Sequence, residues 1–177
     1  NYVEISMKFE IKKVCDFDFI KIGEAYLAEK PLKASGISSN YKLALKLINE
    51  QFLNAEQSAY LVYEEDKLIY AGYYSSRFKK RWLREQNEIF YFWHSDNIDN
   101  YCNRLLNEEN KNISVWLSLK PYAITSNKRE VNISKLIEDE IIMTFKPILN
   151  KVGLDLENNK KNTLSVEHIV SQIINYE

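Results

Sequence analysis

Two apolar and aromatic runs separated by a short acidic stretch constrain the fold of this chain more than any other feature. The segment SAYLVYEEDKLIYAGYY places Glu64-Glu65-Asp66 between runs rich in Tyr, Leu, Ile and Val. Such runs are typical of strands, and a short polar break between them is typical of a β-hairpin. The sequence therefore predicts a hairpin with a charged tip in residues 58–74. Gly72, near its end, is typical of a close approach between two backbones.

The segments before the hairpin are expected to be mostly helical. VEISMKFEI alternates apolar and polar residues and predicts an early strand. The next segment, DFDFIKIGEAYLAEK, predicts a helix that begins at Asp16 or Asp18. Asn40 is positioned to cap a second helix, with leucines and Phe52 on its apolar side. Residues 1–56 are therefore interpreted as a mostly helical lead-in.

Downstream of the hairpin, helices and strands are expected to alternate. SSRFKKRWLREQNE predicts a basic helix capped by Ser75 or Ser76, and NIDNYCNRLLNEEN predicts a short helix between the strands EIFYFWH and ISVWLSL. A longer helix, NISKLIEDEIIMTFKPILN, must end near Pro147, because proline disfavours helix in the residue before it. Helical spacing of apolar residues predicts a last helix in residues 152–177. The predicted class is α/β (α+β), a small sheet with helices packed on it.

The distribution of charge limits the class of partner. The 177 residues include 24 basic and 25 acidic ones, and the net charge of −1 does not by itself predict a polyanionic partner. Five of the eight residues from Arg77 to Arg84 are nevertheless Lys or Arg, the uneven distribution that a local nucleic-acid site requires. No apolar run approaches the roughly 20 residues of a membrane span. The two cysteines match neither a disulfide framework nor a zinc site, so we expect a cytoplasmic protein.

Three features are candidates for chemistry, and each has a purely structural alternative. Tyr60 and Tyr70 lie ten residues apart on the hairpin, where packing also explains tyrosines. The basic helix is either a solvated face around an apolar stripe or a surface for phosphates. Glu138 falls between the apolar positions Ile142 and Phe145 on the wheel of the long helix. A carboxylate there needs a cationic partner, a metal ion or a place at the edge of the packed stripe.

Taken together, these segments resemble the GIY-YIG nuclease family over about half of the chain. Ser58-Ala59-Tyr60 stands where the first triplet of the family belongs, and Tyr70-Ala71-Gly72 stands in place of the second. FKKRW is similar to the arginine helix of the family and places Arg81 at the arginine position. In IEDEIIMTFKPILN, Glu138 lies twelve residues before Asn150, which is the separation that the family pattern has between its glutamate and its asparagine.

The resemblance implies a core made of a small, mostly antiparallel three-stranded sheet flanked by helices. This nuclease core would occupy residues 57–151, with an insertion at about residues 86–111 that the minimal family core does not require. Residues 1–56 and the insertion are the expected DNA-reading segments. Residues 152–177 would be a helical addition to this core.

The resemblance also implies a metal-dependent DNA endonuclease of the restriction type, with a mobile-element endonuclease as the nearest variant. Glu138 would hold a single Mg²⁺ or Mn²⁺ ion, and Tyr60 would be the general base. Tyr70 would position the water or the phosphate, and Arg81 would bind the phosphate in a bidentate way. Asn150 would brace the backbone of the site or the metal-bound waters.

The implied substrate is double-stranded DNA, cut by a homodimer. The cations expected to hold flanking phosphates without reading sequence are Arg77, Lys79, Lys80 and Arg84. The loop KPYAITSNKRE is a further candidate for contact with a groove.

Departures from the family pattern leave alternatives open. The first triplet retains only its tyrosine, and Tyr63 is a rival to Tyr60 for the same role. Four residues after the arginine position, where many members of the family have His or Tyr, this chain has Glu85, so His94 or Arg84 would have to substitute. The alternative interpretations are a catalytically silent module of this type that binds nucleic acid or protein, and a small α/β domain whose motif matches are coincidental.

Overall fold

An antiparallel sheet of eight strands dominates residues 9–34, 36 and 40–150, the part of the chain that the computed structural model describes. The strands of this sheet are β1 (Ile11–Val14), β2 (Phe17–Leu27), β3 (Leu43–Leu47), β4 (Ala59–Glu64), β5 (Lys67–Tyr73), β6 (Leu83–Gln86), β7 (Ile89–Phe92) and β8 (Ile113–Ser118). A separate two-stranded ribbon pairs β9 (Tyr122–Ile124) with β10 (Glu130–Asn132). The helices are α1 (Phe78–Trp82), α2 (Asp96–Arg104) and α3 (Ser134–Phe145), with a 3₁₀ turn at Glu50–Asn54 and a π-helical turn at Leu105–Glu109.

The order of the strands corrects the predicted fold class. Neighbours across the sheet are β5-β4-β8-β2-β3-β7-β6, and β1 pairs with the first half of β2 on the side that β3 occupies further along. The expectation of a small three-stranded sheet flanked by helices is therefore wrong. The strands β5, β4 and β8 do lie side by side, but the sheet continues beyond β8 through five further strands.

The helices predicted within residues 1–56 are wrong, because the described part of this region supplies strands. Phe17–Leu27 forms β2, which pairs with β8 on one side and with β1 and β3 on the other. Inter-strand hydrogen bonds on both sides and burial of its apolar residues override the local preference of this segment for helix. Gly23 was the available signal, since a Cβ there would lie 2.6 Å from the carbonyl oxygen of Lys46 on β3.

Strand β3 replaces the helix expected after Asn40. Its first three residues are all buried, so the segment lacks the alternation that marks a half-exposed strand. The turn between β1 and β2 is also hidden in the sequence. Cys15 and Asp16 both have positive φ, 47° and 62°, as in a type I′ turn, yet the pair lacks the glycine that usually marks such a turn.

The central hairpin is confirmed. Strands β4 and β5 are antiparallel and are joined by Glu65 and Asp66, with Glu65 at a φ of 51°. Beyond the strand ends, the backbone N–H of Tyr74 donates to the carbonyl oxygen of Ser58 over 3.1 Å. This continued pairing leads the chain directly from β5 into the basic helix.

The basic helix is shorter than the sequence predicts. Helix α1 has five residues, and Leu83 already begins β6. Arg77 occupies the N-cap position without a side-chain hydrogen bond, so the predicted cap at Ser75 or Ser76 is wrong. The first and last residues of α1, both aromatic, are buried and hold this helix against the sheet.

The remaining predicted elements within the described residues are confirmed. Strand β7, helix α2 and strand β8 follow in the expected order, and α3 ends at Phe145, two residues before Pro147. The early strand lies mostly, and the helix of residues 152–177 wholly, outside the described residues. Within the described part of the chain, no helix has both the length and the apolar character needed to cross a membrane.

Apolar layers cover the two faces of the sheet. One layer contains Tyr60 and Val62 of β4 together with buried residues of α1 and α2. The other contains Leu61 and Tyr63 of β4 together with buried residues of α3. The β4–β5 end of the sheet is thus packed between α1 on one face and α3 on the other.

Candidate active site

The alternation of side chains along β4 separates the two candidate tyrosines. Tyr60 faces the layer that contains α1, and its ring centroid lies 5.9 Å from that of Tyr70. Tyr63 faces the opposite layer and packs against Trp116, with ring centroids 6.2 Å apart. Only Tyr60 therefore lies on the same side as Arg81 and the basic helix.

The glycine of Tyr70-Ala71-Gly72 makes room for Tyr60. Gly72 pairs directly with Tyr60 across the hairpin, and the Tyr60 ring lies over its backbone. A Cβ at Gly72 would clash with the hydroxyl and the ring carbons of Tyr60. The sequence predicts a close approach between two backbones at Gly72. In the structure, the group that approaches Gly72 is the side chain of Tyr60.

His94 is the direct partner of the Tyr60 hydroxyl. The Tyr60 oxygen lies 2.5 Å from His94 Nε2, and the His94 ring packs on Trp82 with centroids 4.6 Å apart. Burial, reinforced by the charge of Arg81, lowers the pKa of His94 to about 3, so the imidazole is neutral at pH 7. The Tyr60 O–H then donates to Nε2, and Nδ1–H donates to Ser95 Oγ over 3.2 Å.

The Tyr60 hydroxyl is held in its neutral form. Burial raises its pKa well above 10, and the neighbouring Tyr70 adds to the shift. The charge of Arg81 acts in the opposite direction, whereas that of Glu138 raises the pKa further. Tyr70, Arg81 and Glu138, which are distant in sequence, therefore all influence the pKa of the Tyr60 hydroxyl. Their net effect together with burial disfavours a phenolate on Tyr60.

Arg81 is a half-buried cation without a carboxylate partner among the described residues. Its Nη1 donates to the backbone carbonyl oxygen of His94 over 3.3 Å. Its charge lowers the pKa of Tyr70 and that of His94. Such a guanidinium is available for a phosphate, which it can contact through two N–H groups at once.

Glu138 lies on α3, and its charge raises the pKa of both Tyr60 and Tyr70. Its side chain is 12% exposed, and Oε2 accepts a hydrogen bond of 2.7 Å from Lys135 Nζ. Burial raises the pKa of Glu138, and Lys135 acts against this shift. Lys135 also pairs with Asp139. The sequence interpretation missed this lysine, although its spacing of three and four residues from the two carboxylates was a usable signal.

Glu138 is the candidate ligand for a divalent cation at this site. Within residues 9–34, 36 and 40–150, no group of three or more His, Cys, Asp or Glu side chains is arranged to hold a metal. Glu138 Oε1 has no hydrogen bond to a described residue and remains available as a ligand. A single carboxylate fits Mg²⁺, which usually keeps several waters and shares the substrate phosphate with one or two carboxylates.

Asn150 braces the second triplet. Its Oδ1 accepts from the backbone N–H of Ala71 over 2.9 Å, and its Nδ2 donates to the carbonyl oxygen of Ala71 over 2.6 Å. The amide is buried and fastens the chain after α3 to the exposed edge of β5. Of the two tasks expected for Asn150, its side chain performs the bracing of the backbone.

The other cations of the basic segment differ in their surroundings. Arg77 pairs with Glu56 over 3.4 Å, and Lys79 pairs with Glu85 over 2.5 Å, both at exposed positions. Glu85 therefore neutralises a neighbouring lysine, and it forms no ion pair with Arg81. Arg84 is exposed and lies over the Trp93 ring, 4.9 Å from its centroid, whereas Lys80 is exposed without such a ring.

Comparison with known proteins identifies no relative of this chain. No protein-family model matches it, and neither a curated protein nor a solved structure does. The interpretation of the site therefore depends on its own geometry and on the resemblance of its motifs.

Proposed function

We propose that this chain is a metal-dependent DNA endonuclease that hydrolyses phosphodiester bonds. The observation that carries the proposal is that Tyr70, Arg81 and Glu138 all influence the pKa of the Tyr60 hydroxyl, whose ring also packs against that of Tyr70. These residues come from β4, β5, α1 and α3, which are separated by up to 78 positions in sequence. A solvated basic face and two packing tyrosines would not require a half-buried arginine and a half-buried glutamate at the same place.

The proposed division of labour follows from charge and exposure. Arg81 binds the scissile phosphate, because it is half-buried and has no ion-pair partner among the described residues. Tyr60 is buried and His94 is half-buried, so His94 is the member of the pair that the substrate meets. An anion on Arg81 would offset the charge that helps to lower the pKa of His94, so Nε2 would become a better acceptor of the Tyr60 proton when substrate binds. Tyr60 thus remains the proposed general base, with His94 as its partner.

Glu138 is the proposed ligand for Mg²⁺ or Mn²⁺, which would supply charge neutralisation at the phosphate. Lys135 holds Oε2 of this carboxylate, and Oε1 accepts no hydrogen bond from the described residues. The charges of both Glu138 and Arg81 influence the pKa of Tyr70. Tyr70 is the proposed group that orients the water or the phosphate. Asn150 keeps the backbone of the second triplet in register.

The β9–β10 ribbon is the proposed contact with a DNA groove. It follows the loop after β8, and Asn132 at its end donates to the carbonyl oxygen of Gln57 over 2.7 Å, next to the start of β4. Ile124 is 71% exposed, and Lys128 and Arg129 lie in the turn between the two strands. A two-stranded ribbon of this kind fits the major groove of B-DNA. We further propose a restriction-type enzyme that acts in the cytoplasm as a homodimer.

A catalytically silent module that binds nucleic acid is the second candidate. It is favoured by the high pKa of Tyr60 and by the lysine already paired with Glu138. Without substrate or metal, Tyr60 is therefore protonated and Glu138 is paired with a cation, and neither state suits catalysis.

Plasmid cleavage with Mg²⁺ or Mn²⁺ distinguishes the two candidates. We expect discrete, metal-dependent products from the unaltered chain, and none from Glu138→Ala or Arg81→Ala. Glu140→Ala, on the same helix, is the matched control and should cleave normally. Cleavage that persists in Glu138→Ala would exclude the proposed metal ligand. DNA binding without cleavage under all metal conditions would establish the silent module.

A further inference from the structure

A cleft lies between the loop that follows β2 and the turn that joins β6 to β7. Its volume is about 500 Å³, within the range of ligand sites. The described residues that line it are Lys30, Pro31, Lys33, Gln86 and Asn87. Two of these residues are lysines, two carry side-chain amides, and none of them is acidic.

The positive charge of the cleft is not compensated within the described part of the chain. Lys30 and Lys33 are both exposed, and neither forms an ion pair with a described residue. Glu29, next to Lys30, and Glu88, next to Asn87, do not pair with the lysines either. Charges of one sign around a concave surface focus the electrostatic potential there and attract ligands of the opposite sign.

The loop that carries the two lysines is fastened at its backbone to β6 and β7. Gln86 Oε1 accepts from the backbone N–H of Lys33 over 2.9 Å, and Gln86 Nε2 donates to the carbonyl oxygen of Lys33 over 3.1 Å. The Tyr91 hydroxyl donates to the carbonyl oxygen of Lys30 over 2.7 Å, and Leu32, between the two lysines, is buried. A pair of cations on a backbone held in this way loses less conformational freedom when it binds an anion.

Asn87 adds a neutral donor to the two ammonium groups. It lies in the turn between β6 and β7 with a φ of 53°, and its side-chain amide forms no hydrogen bond with a described residue. Ammonium groups and amide N–H groups together match the oxygens of a phosphate, which only accept hydrogen bonds.

The cleft is near enough to Arg81 for one DNA molecule to contact both. Gln86 follows Arg81 by five residues, so their Cα atoms are at most about 18 Å apart. Phosphates of one strand of B-DNA repeat about every 3.4 Å along the helix axis, so this distance corresponds to about five base pairs. The exposed cation Arg84 lies between the two residues along the chain.

We propose that this cleft binds a phosphate group of the DNA backbone, beside the phosphate that Arg81 contacts, through Lys30, Lys33 and Asn87. The inference rests on the proposed function, since it takes DNA as the ligand. It joins the two segments in which the sequence predicts contacts with DNA, the region before the central hairpin and the insertion after the basic helix. The contact positions the DNA without reading its sequence.

The salt dependence of DNA binding tests this proposal on the full chain. Fluorescence anisotropy measures the affinity for a labelled duplex of about 30 base pairs between about 50 and 200 mM NaCl, with EDTA present so that no metal-dependent cleavage occurs. Each lysine that contacts a phosphate contributes about 0.9 to the slope of log affinity against log salt. Lys30→Gln and Lys33→Gln should each remove that contribution, so each variant should lose about 3.5-fold less affinity than the unaltered chain over this range of salt.

Two further variants separate the cleft from general effects of charge. Lys67→Gln removes an exposed lysine of β5 that has no ion pair with a described residue, and it should leave the slope unchanged. Gln86→Leu keeps every charge but releases the backbone of Lys33, and it should weaken binding by about two- to ten-fold. A slope within about 0.3 of the unaltered value in the double variant Lys30→Gln/Lys33→Gln, or an equal fall in Lys67→Gln, would overturn the proposal.

An NMR titration distinguishes DNA from a free anion as the ligand. The backbone N–H signal of Lys33 should shift when the duplex is added. An equal shift with inorganic phosphate at the same concentration of phosphate groups would identify a site for free anions and would overturn the proposal.

The outcome is separable from that of the proposed function. Lower slopes in the lysine variants without plasmid cleavage by the unaltered chain would leave the phosphate site standing and remove the endonuclease. Cleavage by the unaltered chain with unchanged slopes in the lysine variants would retain the endonuclease and remove the phosphate site.

Discussion

Replacement of Gly72 by alanine tests the packing of the candidate site directly. The new methyl group would overlap the Tyr60 hydroxyl and ring, which are enclosed by Tyr70, Tyr74 and Trp82. Tyr60 is only 1% exposed, so its ring cannot relieve the overlap by turning into solvent at its present position. Gly72 does not have a positive φ, so alanine itself introduces no backbone strain.

The magnitude follows from three contributions. Overpacking of a buried site by a methyl group costs about 1–3 kcal/mol. Displacement of the Tyr60 hydroxyl from His94 costs about 1 kcal/mol more, whereas the lower entropy of alanine in the unfolded chain returns about 0.4–1 kcal/mol. We therefore expect Gly72→Ala to lower the free energy of unfolding by about 2 kcal/mol, which for a chain of this size lowers Tm by about 4–8 °C.

A double-mutant cycle with Tyr60→Val identifies the cause. In the Tyr60→Val background the clash is absent, so Gly72→Ala should be neutral or slightly stabilising, and the coupling between the two positions should be about 2 kcal/mol. Urea unfolding measures all four free energies, and the ¹⁵N shift of His94 Nε2 reports loss of the hydrogen bond. Additivity within about 0.5 kcal/mol, with an unchanged His94 signal in Gly72→Ala, would refute the proposed packing.

Three further predictions address the brace, the neutral histidine and the choice of tyrosine. Asn150→Ala leaves the buried backbone N–H and C=O groups of Ala71 without the Asn150 side chain and should lower the free energy of unfolding, measured in urea, by about 1–3 kcal/mol. A change below about 0.5 kcal/mol would contradict the bracing role of Asn150. Because the pKa of His94 is about 3 in the folded chain and near 6.5 when unfolded, its contribution to stability is complete above about pH 6.5 and is lost as the pH falls towards 3, by up to about 1.4 kcal/mol per unit. Unfolding of the unaltered chain and of His94→Gln at pH 7.5 and 5 should show a smaller loss in the variant, and equal losses would exclude a buried neutral imidazole. In the plasmid assay, Tyr60→Phe should abolish cleavage and Tyr63→Phe should not, because the two side chains lie on opposite faces of the sheet; the reverse result would reassign the catalytic tyrosine.

The hairpin was predictable because its signals are local. Its two runs of strand-forming residues and the acidic break between them determine the pairing of β4 with β5. The long helix α3 was predictable for the same reason, since its apolar residues and Pro147 mark its extent. The region before the hairpin was not predictable, because the strand Phe17–Leu27 is stabilised by partners on both sides that are distant in sequence.

The residues of the candidate site were chosen from the sequence, whereas their arrangement could not be. Motif order and spacing selected Tyr60, Tyr70, Arg81 and Glu138, and in the structure the charges of Arg81 and Glu138 influence the pKa values of both tyrosines. His94 entered only as an alternative to Arg84, because nothing near it in sequence indicates that it contacts Tyr60. Its position is set by the pairing of β6 with β7, through which the backbone N–H of Trp93 donates to the carbonyl oxygen of Trp82.

Local preferences, which act over a few neighbouring residues, establish which segments around the β4–β5 hairpin become strand or helix. Long-range packing establishes three further features: eight strands in the described part of the sheet, Tyr60 and not Tyr63 on the side of α1, and Gly72 beneath the Tyr60 ring. These features depend on strand pairing and burial, which are determined by residues far away in the chain. A period of two residues along β4 then converts that pairing into a choice of face for every side chain.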